Sequence, residues 1–174
     1  MLSDAAIERY SRQILLPEVG GRGQERLGST RVIVSGGDAA AAFATALLGA
    51  AGVGITPEDG PPGRLAARLD AGTVLARADG AGAVVVTLVG RPCARCVPET
   101  VWRMPAGPAG DTGEAAHAQA VGALVAAETL RVALGLATAG RVHAFDLASG
   151  TFEARPLPAS DGCGACAGTR LSTA

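Results

Sequence analysis

The run Arg31-Val32-Ile33-Val34-Ser35-Gly36-Gly37-Asp38 decides the fold. Four residues rich in β-branched side chains read as a buried strand, Ser35-Gly36-Gly37 as a turn, and Asp38–Ala51 as an alanine-rich helix with Phe43, Leu47 and Leu48 facing inward. Strand, glycine turn and helix together form the opening of a dinucleotide-fold unit, in which a helix N-terminus offers free N–H groups to a phosphate. Asp38 stands where its carboxylate can cap those N–H groups itself and would repel a triphosphate.

Outward from this unit, Ala5–Leu16 places Ile7, Tyr10, Ile14 and Leu15 at helical spacing, with Ser3 or Asp4 as cap and Pro17 as stop. Thr56–Gly63 reads as a Pro/Gly/acidic loop, and Arg64–Asp79, whose pattern is ambiguous, as one short helix. Ala83–Val89 is a second buried strand. Trp102–Asp111 is a Pro/Gly-rich crossing segment without periodicity. From Glu114 to Leu134, Val121, Leu124, Val125 and Val132 define a long helix, with Gly135 suited to the position just past its end. Arg141–Asp146 and Thr151–Arg155 flank Leu147-Ala148-Ser149-Gly150 as a hairpin.

The cysteines carry the clearest chemistry. All four fall into C-x-x-C pairs, Cys93-Ala94-Arg95-Cys96 and Cys163-Gly164-Ala165-Cys166. Each pair supplies two thiolates from one short turn, and two such knuckles make a closed, tetrahedral four-sulfur zinc site. The alternatives are a redox pair or disulfides, but redox motifs come singly at a strand-to-helix junction and disulfides are disfavoured in a reducing compartment. With no open coordination position, the expected zinc is structural and not catalytic. His117 and His143 have no paired ligand or nucleophile nearby in sequence and read as structural or solvated.

Composition sets the frame. The 174 residues, 48% hydrophobic and 18% charged, are those of one folded domain and not of a disordered chain. Fifteen Lys and Arg side chains against sixteen Asp and Glu leave no basic field for nucleic acid or an anionic membrane, and 3% aromatics leave few stacking platforms. No run reaches the ~20 strongly apolar residues of a spanning helix. The opening Met1-Leu2-Ser3-Asp4 has neither a basic nor an apolar signal region, so a cytoplasmic address is expected.

The order of these elements resembles the ThiF/MoeB/HesA family, relatives of ubiquitin-activating enzymes that adenylate the C-terminal Gly-Gly of a sulfur-carrier protein. Glu8-Arg9-Tyr10-Ser11-Arg12-Gln13-Ile14, Gly23-Gln24-Glu25-Arg26-Leu27 and Arg31-Val32-Ile33-Val34 resemble the family's RYxRQ opening and first strand. Ala51-Gly52-Val53-Gly54 resembles the turn closing its first helix, and Cys93 to Cys96, the segment Val121–Glu128 and Cys163 to Cys166 resemble its zinc-bearing half. The resemblance implies an α/β chain with a shortened Rossmann-like ThiF/MoeB fold, a C-terminal hairpin and a structural zinc bound by Cys93, Cys96, Cys163 and Cys166. It divides a single domain, 1–174, into an N-terminal helical arm (1–30), a degenerate nucleotide-fold half (31–80) and a zinc-bearing half (81–174).

The chain departs from the family where the chemistry is done. The phosphate turn G-x-G-G-x-G is here Gly36-Gly37-Asp38-Ala39-Ala40-Ala41, leaving Gly36 and Gly37 as a remnant poorly suited to magnesium-ATP. The family's N-x-x-R-Q segment, phosphate-binding lysine and C-T-D-N turn have no counterpart, and the chain contains no lysine. Arg12 matches the second arginine of RYxRQ, which in family dimers reaches the other subunit's ATP; the plainer reading is an exposed arginine on an amphipathic helix. The implied function is that of a pseudoenzyme, forming a homo- or heterodimer with a complete ThiF/MoeB-like paralogue or docking a sulfur-carrier or ubiquitin-like protein. The alternative is an active adenylyltransferase whose ATP site is rebuilt from Asp59, Arg64 and Arg68.

Overall fold

The computed structural model describes residues 1–80, 82–102, 114–160 and 162–166. Most of the expected Trp102–Asp111 crossing segment lies outside them. The chain is an α/β protein built on one mixed sheet of seven strands.

The sheet order is β2 (Gly54–Glu58), β1 (Arg31–Ser35), β3 (Arg64–Leu69), β4 (Gly72–Asp79), β5 (Gly82–Leu88), β6 (Arg141–Asp146), β7 (Thr151–Pro156). β1 and β2 are parallel and joined by helix α3 (Ala39–Ala50), as strand, glycine turn and helix imply. Every other pairing is antiparallel. Arg64–Asp79 is therefore a hairpin and not the short helix expected. Leu65 and Ala67 on β3, with Val74 and Ala76 on β4, alternate at period two toward the core, while the intervening arginines and alanines hide that alternation from a hydropathy reading. The expected loop at Thr56–Gly63 begins inside β2, a five-residue edge strand that tolerates Pro57.

One face of the sheet is covered by α3 and α4 (Glu114–Ala133). The alanines of α3 explain how closely these helices approach. Ala40, Ala41 and Ala44 are buried, and a Cβ added at Gly122 would lie 2.5 Å from the Ala40 carbonyl oxygen and 3.1 Å from the Ala44 nitrogen. Of the three large residues expected inward on α3, Leu48 is buried, Phe43 is half-buried and Leu47 is 37% exposed. Gly135, at φ +75°, follows α4 as expected.

The other face carries a smaller cluster of Val84, Val86, Leu88, Val101, Val142 and Leu157, with Val97 and Trp102 packed on it. β5 serves both clusters: Ala83 and Val85 face the helices, Val84 and Val86 the opposite side. All seven of its residues are buried, matching the continuous apolar run in its sequence.

The N-terminal arm comprises α1 (Asp4–Ile14), capped by Ser3, and α2 (Gly20–Ser29). It docks on the C-terminus of α3, where carbonyls lack intrahelical partners. The Gln24 amide donates to the Ala51 carbonyl at 3.0 Å and the Gln13 amide to that of Ala50 at 3.4 Å. Gly52, at φ +93°, passes under Tyr10, where a Cβ would come within 2.9 Å of the phenol. The apolar side of α1 is only partly used: Ile7 and Leu15 remain exposed.

Candidate metal centre

Register alone brings the two C-x-x-C pairs together. β5 and β7 flank β6 and run in the same direction, antiparallel to β6, so both release their chains at the same end of the sheet. Cys93 and Cys96 follow β5, and Cys163 and Cys166 follow β7. β1 runs the opposite way, so its glycine turn lies at the far end.

Each pair closes as a tight turn. The Cys96 N–H donates to the Cys93 carbonyl at 2.8 Å, and the Cys166 N–H to the Cys163 carbonyl at 3.2 Å. The two turns face each other sulfur to sulfur: Cys93 Sγ lies 3.9 Å from Cys96 Sγ and 3.8 Å from Cys163 Sγ, and Cys96 Sγ lies 3.5 Å from Cys166 Sγ. All four sulfurs fall within 4.8 Å of one another. A tetrahedral ion with metal–sulfur bonds of about 2.3 Å needs sulfurs about 3.8 Å apart. The cysteines are free, with no disulfide among them, and Cys96 and Cys166 are buried. The set fits a metal ion such as zinc.

Backbone hydrogen bonds favour the thiolate at Cys163 and Cys96. Hydrogen bonding with the backbone of Ala165 and Cys166 brings the Cys163 thiol down to about 6, and the backbone of Ser160 lowers Cys96. Cys166 moves the other way, chiefly because it shares its hydrogen bond with the more acidic Cys96. Four thiols this close resist ionising together unless a cation neutralises them.

The Gly36-Gly37 turn lies at the start of α3. Asp38 caps α3 through Oδ1, which accepts from the Ala41 N–H at 3.1 Å, and its Oδ2 accepts from the Gly63 N–H at 3.1 Å. The Gly36 N–H donates to the Glu58 carbonyl at 3.1 Å. A Cβ on Gly37 would lie 2.8 Å from the Gly60 carbonyl oxygen, and one on Gly36 would lie 2.7 Å from the Ala41 Cβ. The chain after β2 thus folds back over the turn: Gly60 lies against Gly36 and Gly37, and Gly63 is fastened to the Asp38 that caps the helix.

Arg64 and Arg68 start and nearly end β3, about 13 Å apart along the strand. Arg68 is ion-paired with Glu58, which also accepts from the Ser35 hydroxyl at 2.9 Å. These bonds, that from Arg68 foremost, hold the Glu58 carboxyl below its usual range. Asp59 is exposed in the loop after β2. Arg12 is exposed in the last turn of α1 and makes no ion pair among the described residues.

One buried polar network was not expected. Glu128 of α4, 3% exposed, accepts from the Thr87 hydroxyl at 2.8 Å and lies 3.4 Å from His143 Nε2 and 3.6 Å from Arg131 Nε. Burial pushes its carboxyl up, but the adjacent His143 and the hydrogen bond from the Thr87 hydroxyl outweigh this and hold it below its usual range. Its signal lay in the sequence: Val121, Val125, Glu128 and Val132 share one helical stripe, which puts a carboxylate in the core. His117 is also buried and structural, its Nε2 lying 3.1 Å from the Gly82 carbonyl.

No protein-family model matches the chain, and no curated protein matches it. No helix among the described residues is long and apolar enough to cross a membrane.

Proposed function

We propose that this chain is a non-catalytic relative of the ThiF/MoeB/HesA adenylyltransferases, clamped by a structural zinc. It acts in the cytoplasm as a dimer partner of a complete activating enzyme or as a docking scaffold for a sulfur-carrier or ubiquitin-like protein. On this reading β1, α3 and β2 are what remains of a Rossmann-like nucleotide unit, and Cys93, Cys96, Cys163 and Cys166 hold the zinc. When bound, zinc supplies cross-linking of the chain segments after β5 and β7 and no open coordination position.

The observation that carries the reading is the closure of the glycine turn. Asp38 and the Gly60–Gly63 segment use the helix N-terminus and the space beside Gly36 and Gly37. A phosphate would have to displace a carboxylate and a stretch of backbone at once. The dispersal of Asp59, Arg64 and Arg68 speaks against a rebuilt ATP site. The exposure of Arg12, on a helix whose apolar side is partly uncovered, supports a role in trans.

The test is ATP–pyrophosphate exchange driven by a sulfur-carrier protein. The chain alone gives none, while added to a complete ThiF/MoeB-type enzyme it changes that enzyme's exchange rate, and Arg12→Ala removes the change. Exchange by the chain alone, abolished by Arg64→Ala or Arg68→Ala, would overturn the proposal in favour of an active adenylyltransferase.

A further inference from the structure

β7 is an edge strand, paired only with β6 among the described residues, and all six of its residues are exposed. An edge of this kind is a template for another strand unless something blunts it. Its sequence, Thr151-Phe152-Glu153-Ala154-Arg155-Pro156, places one acid and one base symmetrically about Ala154.

The hydrogen-bond phase fixes which groups face outward. The Leu157 N–H donates to the Gly140 carbonyl at 2.9 Å, so the odd-numbered residues of β7 bond to β6. Phe152, Ala154 and Pro156 therefore turn their backbone groups to the open edge. Pro156 lacks an N–H, and it sits at an outward position where no ladder bond within the chain is lost.

We propose that β7 pairs antiparallel with β7 of a second copy of this chain, about a twofold axis perpendicular to the sheet at Ala154. In that register the two Ala154 residues exchange both N–H···O bonds, and the Phe152 N–H of each copy donates to the Pro156 carbonyl of the other. Glu153 then stands opposite Arg155 twice, at the closely spaced, non-hydrogen-bonded positions where side chains interact most strongly. Shifting the axis by one residue sets Glu153 against Glu153, or Arg155 against Arg155. Charge thus selects one register and one self-complementary partner. Neither Glu153 nor Arg155 makes an ion pair among the described residues. Phe152, 59% exposed, lands beside the Pro156 ring of the other copy. The inference rests on this strand's register and charge and not on the sulfur-carrier reading.

A six-residue edge buries little area, so the association belongs with weak, reversible interfaces. The test is sedimentation of the full, metal-loaded chain from micromolar to millimolar concentration, with far-UV circular dichroism to show that each variant is folded. The wild type forms a reversible dimer, Glu153→Arg and Arg155→Glu each weaken it about tenfold or more, and the double swap Glu153→Arg/Arg155→Glu returns it close to wild-type affinity. A wild type that stays monomeric throughout, a dimer indifferent to the single changes, or single changes that the double swap does not rescue would each overturn the proposal.

Discussion

Asp38 and Gly63, 25 residues apart in sequence, are joined by a hydrogen bond of 3.1 Å from the Gly63 N–H to Asp38 Oδ2. The other carboxylate oxygen caps α3 through the Ala41 N–H, so one side chain both starts the helix and fastens the chain that returns over the glycine turn. Asp38→Ala removes both bonds and is expected to lower stability by about 1–2 kcal/mol. Asp38→Asn keeps the cap and loses less. Denaturant unfolding of the two variants checks the order, and equal losses would show that the cap contributes nothing.

The Glu128 network predicts a pH dependence with a definite sign. Its carboxyl is held below the usual value of 4.5 in the folded chain, so its contribution is fully present above that pH and is lost as pH falls through the folded value. Glu128→Gln should flatten the acid side of the stability curve. Glu128→Ala leaves the Thr87 hydroxyl and His143 without their buried partner and should cost about 3 kcal/mol at neutral pH. An unchanged acid limb in Glu128→Gln would assign the acid sensitivity to other carboxylates.

Gly122 predicts a steric effect of one methyl group. Its added Cβ would meet the Ala40 carbonyl oxygen at 2.5 Å, and backbone cannot swing aside as a side chain can. Despite the better helix propensity of alanine, Gly122→Ala should lower stability by about 1–3 kcal/mol. Thermal unfolding decides this, and a gain in stability would show that α3 and α4 separate without penalty.

Trp102 is the single tryptophan and packs on the cluster of Val84, Val86, Val101 and Leu157, a few residues past Cys96. If a metal ties the two C-x-x-C turns, removing it frees the segments that cover this face of the sheet. Chelation, or Cys96→Ser, should shift Trp102 emission to the red and abolish cooperative unfolding of that side. Emission and unfolding unchanged after the metal is shown to be gone would refute a structural role for it.

These features were not equally legible in the sequence. The strand at Arg31–Val34, which the structure extends to Ser35, its glycine turn and the Asp38 cap were readable because they are local and depend on residue type. The paired cysteines were readable because C-x-x-C spacing needs no knowledge of the fold, and the long helix and final hairpin because their periodicities are strong. The β3–β4 hairpin was not. Its arginines face away from the helix layer and its core positions include the small Ala67 and Ala76, so period two carried little hydropathic contrast. α2 was missed for a similar reason, since Gly20, Gly21, Gly23 and Gly28 dilute its pattern and its buried residues are Gln24 and Leu27. The covering of the Gly36-Gly37 turn by Gly60 and Gly63 depends on a return path set by sheet order, which nothing near Gly36 and Gly37 encodes.

The central proposal is a fold clamped by a metal at the four cysteines, with a glycine turn closed to nucleotide. Native mass spectrometry of the full chain, with and without magnesium-ATP, tests both parts in one experiment. The account predicts one zinc per chain, held by the four thiolates, and no nucleotide adduct. A metal-free folded chain would contradict the clamp, and a stoichiometric ATP adduct would contradict the closure of the turn by Asp38.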